Sequence, residues 1–416
     1  MMGLSRDNIN LIKNTSALSL IQLSNYIFPL LLIPYLSRVL GLEKYGIVAF
    51  GLGLTQLSII LTDYGFNLSA TYKIAKANQN KILINKIISS VFLCKIGLVS
   101  LATFFLFIFV FIDNKYTDYH LFFLLMIIPI IGQAFQPIFF FQGLERMVII
   151  SIITSIGRTF YLLATLIFVT SPEDYIWVSV TNGVSHVIIA GIEIYILLRM
   201  GYGFLWPDKA DIKITFSEST PFFWGRAAAA IYSAGGTIFL GFFANSAQVG
   251  LYSAAEQLYR GAVSLIVPIH QALYPYMIRT RNIIIFKKII YASTILSCIG
   301  VIIGIYITPW IIKIIFGKEF FESASILVVF MITFAFVIPS GLLGFPFLAA
   351  LGDPKTANRS IIYGGLLQLF LLGMCYLFWW VNALQVAICV LIVEMMILCI
   401  RMIASHTLSK KLNLSS

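Results

Sequence analysis

Residues 83–112 read LINKIISSVFLCKIGLVSLATFFLFIFVFI, a run of thirty whose only charges are Lys86 and Lys95. A helix needs about 20 apolar residues to cross the hydrocarbon of a bilayer. This run exceeds that length and shows no alternation of the kind a lipid-facing β-strand requires. It predicts a transmembrane α-helix. Working outward, runs of the same kind recur at 14–37, 45–70, 119–141, 148–170, 176–198, 217–244, 250–276, 289–312, 323–349, 360–380 and 386–408, so about twelve spans are expected. Across the 416 residues, 60% are hydrophobic and only 11% charged, where a soluble domain carries roughly 25% charged residues. That little charge does not cover a water-facing surface. The 35 Phe, 20 Tyr and 6 Trp suit a bundle with aromatic ends.

The formal net charge of +11 would suggest nucleic acid in a soluble chain. Here the cations sort by position and read as topology signals, so no nucleic acid is expected. With the N-terminus in the cytoplasm, most of the 28 Lys and Arg fall on the inside, including Lys73, Lys76, Lys81, Lys86, Lys209, Lys213, Arg279, Arg281 and Arg401. Only Arg38, Lys44, Lys115, Lys313 and Lys318 fall outside. Cytoplasmic segments carry the excess of Lys and Arg, so an N-in, C-in orientation is predicted. The run after Lys13 is too long for a signal peptide and reads as the first span. The five cysteines lie in apolar runs without CxxC spacing and are expected to pack rather than bridge or bind metal.

The longest polar connection, about 199–216, divides the spans six and six, giving lobes at 1–205 and 206–416. A gap-free offset of 204 lays Gly46 of Tyr45-Gly46-Ile47 on Gly250 of Val249-Gly250-Leu251. Two six-span halves entering from the same side are parallel repeats, for which the substrate site is expected between the halves. Prolines recur in the spans at 29, 34, 129, 137, 221, 268, 275, 309, 339 and 346. Each frees a backbone carbonyl, and so either shapes its helix or lets it bend during work.

Eight ionisable side chains fall well inside spans: Lys95, Arg158, Arg226 and Arg260, and Asp63, Glu193, Glu256 and Glu394. Each costs about 2.5–3.5 kcal/mol at a helix centre. All eight facing lipid would cost on the order of 20 kcal/mol, more than the ~5–15 kcal/mol stability of a typical domain. They must face one another or a wet interior. Helical spacing places Ser151, Thr154, Ser155, Arg158, Tyr161 and Thr165 on one stripe. Asn182, His186 and Glu193 share another, as do Arg226, Ala230, Ser233 and Thr237, and Ser253, Glu256, Arg260 and Ser264. Thr15, Ser19, Gln22 and Tyr26 form a fifth on the first span. Glu256 and Arg260 are four apart and can pair on one helix. Asp63 can cap or pair at a span end. Lys95 lies on an otherwise apolar face with Val91, Leu98 and Ala102, and either snorkels or pairs with Glu193 or Glu394. Arg158 and Arg226 have no acid at i±3 or i±4, so they are the first candidates for anion contact, and a planar guanidinium suits phosphate. His186 and His270 read as packing or hydrogen-bonding residues. The four acids are candidates for carrying H⁺ or Na⁺.

No GxxxxGK[ST] loop, HExxH or GxSxG is present, so the chain carries no recognisable ATPase, zinc-protease or hydrolase signature. The longest polar outside loop, Asp113 to His120, is too short to house a periplasmic active site for a glycan.

Several strings are similar to those of a known family. Pro34-Tyr35-Leu36-Ser37-Arg38-Val39-Leu40-Gly41 followed by Tyr45-Gly46 resembles the first hairpin of Wzx-type O-antigen flippases, the polysaccharide branch of the MOP exporter superfamily. Asp63-Tyr64-Gly65-Phe66-Asn67-Leu68-Ser69-Ala70-Thr71, Phe141-Gln142-Gly143-Leu144-Glu145-Arg146-Met147, Val249-Gly250-Leu251-Tyr252-Ser253-Ala254-Ala255-Glu256 and Leu351-Gly352-Asp353 resemble later elements in the same order. The resemblance implies an all-α, MATE-like fold of two six-helix lobes in the bacterial inner membrane. It implies movement of undecaprenyl-diphosphate-linked oligosaccharide from the cytoplasmic to the periplasmic leaflet by alternating access. It also implies a cavity lined by cations, carried over here as Arg158, Arg226, Arg260 and Lys95. An ion gradient of H⁺ or Na⁺ would drive it, without any other cofactor. Partners implied are membrane lipids, an O-antigen polymerase and a chain-length regulator. The rival readings are an O-antigen polymerase or ligase, against which the short outside loops speak, and a drug exporter of the same fold, against which the intramembrane cations speak.

Overall fold

A computed structural model describes the backbone of residues 6–77, 80–112 and 114–414, and side chains from Leu31 to Lys410 apart from 78–79 and 112–114. Among the described residues the fold is all helical, with no strand. The α-helices are α1 (Arg6–Asp63), α2 (Phe66–Lys76), α3 (Lys81–Ile112), α4 (His120–Leu125), α5 (Ile127–Ala134), α6 (Ile138–Gly143), α7 (Met147–Phe168) and α8 (Tyr175–Arg199). They continue with α9 (Lys209–Phe243), α10 (Ser246–Ser264), α11 (Val267–Thr280), α12 (Ile283–Ile315), α13 (Ser323–Leu342), α14 (Pro354–Leu377) and α15 (Ala383–Leu414).

Ten stretches among the described residues are long and apolar enough to cross a membrane, against the twelve expected. Two local features account for the difference. The first two expected spans join without a loop within α1, as two helices meeting at a non-helical kink at Gly41, where φ is +70°. Only glycine adopts that conformation without strain, so the bend replaces a loop. The expected span at 250–276 is instead cut into α10 and α11, with Pro268 in the first turn of α11. Proline has no N–H to offer the preceding turn, so the break falls where the helix would otherwise run on. The expected span at 119–141 is similarly divided into α4, α5 and α6, and Pro137 sits in the second break. The polar stripe of Thr15, Ser19, Gln22 and Tyr26 lies outside the described side chains.

The chain divides into two compact units. One comprises Met1–Leu32 and Gly51–Ala227, the other Ile33–Phe50 and Ala228–Ser416. The sequence division at 205/206 falls in the connection before α9, whereas the units divide within α9. The first unit is centred on Phe66, Ile84, Ile88, Val91, Phe139, Phe140, Phe141 and Leu197, all buried. The second is centred on Leu273, Met277, Phe286, Leu342, Phe347 and Leu348. Outside these cores, α3 presents Phe104, Phe105, Phe107 and Phe111 outward, as a lipid-facing helix should.

Lipid tails are as apolar as side chains, so close packing and hydrogen bonds, more than apolar burial, hold such helices together. In the second unit the repeat register becomes a contact of this kind. A Cβ on Gly46 would strike the carbonyl of Ser246 and the amide of Gly250. One on Gly250 would lie 2.6 Å from the carbonyl oxygen of Leu42 and face the amide of Gly46. Beside this crossing, Arg38 donates to the carbonyls of Ile314 and Ile315, the free C-terminal end of α12. Glu319 accepts the Leu42 N–H at 3.1 Å, the donor that the Gly41 bend releases. The Pro34–Gly46 string thus reads as a docking element of the second unit.

Candidate functional site

In the first unit, the string beginning at Asp63 is a bend. Tyr64 and Gly65 both have positive φ and separate α1 from α2. The bend zips onto residues 216–226 of α9. Tyr64 stacks between Phe216 and Phe223, with ring centroids 4.3 and 4.5 Å away. Ser69 and Ser219 share a hydrogen bond of 2.6 Å, and Lys73 pairs with Glu218. At the inner end of this seam Arg226 donates to Oδ2 of Asp63. Arg226 therefore meets its acid across helices, which i±3 and i±4 spacing on its own helix does not reveal. The Asp63 side chain is 6% exposed and that of Arg226 37%. The carboxylate takes one nitrogen of a guanidinium that carries five N–H donors. Asp63 Oδ1 is buried without a partner.

Lys95 neither snorkels nor forms a direct ion pair. It is 2% exposed and donates to the carbonyl of Ala134 at 2.7 Å. That carbonyl ends α5 just before the Pro137 break, so the ammonium caps a helix terminus that bears partial negative charge. Lys95 is close enough to Asp63, Glu193 and Arg226 for all three charges to act on it. Glu193 is fully buried on α8, and both its carboxylate oxygens lack a hydrogen-bond partner. An unsatisfied buried carboxylate is costly and marks a place where a proton, water or cation belongs.

Arg158, on α7, lies within electrostatic range of His186, and its Nη1 is buried with no partner. Part of its polar stripe serves the α7–α8 contact, while Ser151 donates to the Met147 carbonyl of its own helix. Thr165 bonds Thr181 at 2.9 Å, and Ser185 donates to the Gly157 carbonyl at 2.7 Å. His186 Nδ1 lies 3.0 Å from Gln136 Nε2, so this histidine acts in hydrogen bonding. Arg158 is left as the cation in the stripe with donor capacity to spare.

In the second unit Glu256 and Arg260 do pair on α10, at 2.9 Å. Thr237 of α9 donates to the other carboxylate oxygen at 2.9 Å, and Arg260 also donates to the Ser233 carbonyl. The stripes on α9 and α10 thus meet each other. The arrangement parallels that of the first unit, with a carboxylate side chain 8% exposed holding an arginine side chain that is 40% exposed.

Glu394 is also buried, and the cation acting on it is Arg401 of the same helix. Sequence reasoning counted Arg401 among the cytoplasmic topology charges. Instead it is 7% exposed and deep in the second unit. It donates to Ser360 Oγ at 2.9 Å, to the Ser340 carbonyl at 2.8 Å and to the Ala357 carbonyl at 3.5 Å. Ser340 lies just before the π-helical turn Leu343–Ala349, which contains Pro346, so Arg401 satisfies carbonyls at a distorted helix end. The spacing of seven from Glu394 puts both on one helix face and could have flagged it. Gln368 is fully buried with neither amide atom bonded, and no sequence pattern singles it out.

Comparison with known proteins places this geometry in context. A family model described as "Polysaccharide biosynthesis protein" matches residues 11–281. A protein of Escherichia coli (strain K12) named "Putative O-antigen transporter" is 27% identical over 377 residues, covering 89% of this chain and 91% of that one. A protein of the same name from Shigella dysenteriae is 28% identical over 361 residues, covering 86% and 91%. Among solved structures, the lipid II flippase MurJ in an inward closed conformation matches with a TM-score of 0.74 at 13% identity, covering 95% of this chain and 87% of that one. An inward-facing multidrug resistance MATE transporter of the MOP superfamily matches with a TM-score of 0.70 at 14% identity, covering 94% and 96%. At such identities the structural likeness speaks for the fold.

Proposed function

The chain belongs to the polysaccharide biosynthesis protein family and has the helical fold of MATE-type transporters, and on that premise we propose that it is a flippase for lipid-linked O-antigen repeat units. The reading is of a multi-pass bacterial inner-membrane protein, N-in and C-in, and not an enzyme. It moves undecaprenyl-diphosphate-linked oligosaccharide from the cytoplasmic to the periplasmic leaflet by alternating access. The relatives named for O-antigen transport support the substrate class.

One observation carries the reading to particular residues. Each unit holds an arginine fixed by a buried carboxylate, with its side chain as a whole partly exposed: Arg226 on Asp63, and Arg260 on Glu256. A guanidinium held this way is pre-oriented for the oxygens of a diphosphate or the hydroxyls of a sugar, and loses less freedom on binding. Arg158, with an unpartnered buried nitrogen, adds a third contact in the first unit. Lys95 is committed to a backbone carbonyl and serves by positioning α5 and balancing Glu193.

Coupling to a H⁺ or Na⁺ gradient would pass through Glu193. Asp63 and Glu256 are occupied by arginines, and Glu394 lies beside Arg401. Both oxygens of Glu193 are free of hydrogen bonds.

Gene deletion in the native host, with lipopolysaccharide gels and extraction of lipid-linked glycans, tests the function. Loss of O-antigen with repeat units trapped on the cytoplasmic face is the expected result. Lipopolysaccharide bearing a single repeat unit would indicate a polymerase instead, and an unchanged profile with altered drug sensitivity would indicate a drug exporter.

A further inference from the structure

The first unit carries a groove of about 660 Å³ between α3 and the start of α9. Its walls are Leu93, Gly97 and Leu98 on α3 and Ile212 and Phe216 on α9. Gly97 forms an open part of the floor, since a Cβ there would meet nothing within 4 Å. The charged side chains lining the groove are Lys209 and Lys213, four residues apart and so on one helix face.

Two acids stand beside these lysines in sequence, but neither neutralises them. Asp208 and Asp211 lie 3.9 and 3.7 Å from Lys86 Nζ. Among the described residues no carboxylate lies within ion-pair distance of Lys209 or Lys213. The local charges are therefore sorted, with acids toward Lys86 and free ammonium groups at the groove. An apolar trough with two unpaired cations at one end complements an amphiphile with one anionic end. The surrounding α3 surface, with Ile96 and Leu101 exposed, is apolar and meets acyl chains already.

We propose that this groove is a binding site for an anionic phospholipid of the bilayer. One acyl chain lies along Leu98, Gly97 and Leu93, and the phosphate sits between Lys209 and Lys213. The volume falls in the range of small-molecule sites, about 300–1,000 Å³. The occupant is a resident lipid, and the inference holds whatever the protein transports.

Native mass spectrometry of the full chain released from mixed micelles, titrated with phosphatidylglycerol or phosphatidylethanolamine, tests this. Wild type should retain phosphatidylglycerol in preference. Removing two surface lysines should weaken that preference roughly thirtyfold, at the usual worth of a basic residue near an anionic lipid. The variant K209Q/K213Q should therefore lose it, whereas Lys76→Gln, an equally exposed lysine outside the groove, should not. Gly97→Leu, which fills the floor with the lysines intact, should lose the bound lipid too. Equal retention of the two lipids by wild type, or equal loss in Lys76→Gln, would overturn the proposal. So would a short polyprenyl diphosphate probe displacing phosphatidylglycerol in a manner dependent on Lys209 and Lys213, since the groove would then be a substrate site.

Discussion

Removing Arg226 should harm the protein more than removing its partner Asp63, although both changes delete the same ion pair. The asymmetry follows from burial. The Asp63 side chain is 6% exposed, and its Oδ1 has no partner even in the intact protein. Arg226→Ala leaves that carboxylate buried with both oxygens unmet, and stranding one member of a buried pair costs about 3–5 kcal/mol. The Arg226 side chain is 37% exposed, so in Asp63→Ala the guanidinium stays partly exposed and loses chiefly one charged hydrogen bond, about 1–2 kcal/mol. The gap of about 2–3 kcal/mol corresponds to roughly a 30- to 150-fold difference in the unfolding equilibrium. The double variant strands no carboxylate and should lie near Asp63→Ala. Unfolding in mixed micelles, followed by tryptophan fluorescence at constant lipid-to-detergent ratio, measures all three. If Asp63→Ala proves as destabilising as Arg226→Ala, or the double variant is the worst, the assignment of the acid as the buried member is wrong.

Other outcomes follow from the same geometry. Gly46→Leu forces a side chain into the Ser246 backbone and should cost at least ~1–3 kcal/mol, seen as lost monodisperse protein in size-exclusion chromatography. Gly300→Ala, in open space, should pass the same assay and so calibrate it. Arg401→Ala should destabilise the second unit by about 3–5 kcal/mol in the same micelle titration, and Arg401→Lys should rescue little, because a lysine lacks the fork that spans Ser340 and Ser360. Arg158→Ala should lower flipping at unchanged protein level, measured by O-antigen output in a complemented deletion strain; full output would remove Arg158 from the anion contacts. Glu193→Gln should keep downhill transport in proteoliposomes but lose stimulation by an imposed H⁺ or Na⁺ gradient, and persistent stimulation would assign coupling elsewhere.

The helical membrane architecture was legible because the signal is one of length and polarity, which no tertiary contact alters. Breaks within helices were harder to read. Pro137 and Pro268 mark two of them, yet Pro221, Pro309 and Pro339 lie inside intact helices. For the site, spacing on one helix sufficed when both partners shared it, as Glu256 and Arg260 do. It failed for Asp63 and Arg226, separated by 163 residues and joined only by tertiary folding. The burial of Arg401 was hidden for a related reason: whether a cation near a span end faces outward or is a buried donor depends on which face it occupies. What shields Lys95 from lipid was equally hidden, since its partner is a main-chain carbonyl that exists because α5 stops.

The crossing at Gly46 and Gly250 constrains the two sides unequally by position. Leu42 stands in the same relation to Ser246 as Gly46 does to Gly250, and each glycine touches both members of the opposite pair. That reciprocity is the mark of a two-fold contact, in which a patch meets its own copy. The two sides differ at the leucine and the serine, which meet the opposite glycine through main-chain oxygens and so leave their side chains free to vary, whereas neither glycine has space for a Cβ.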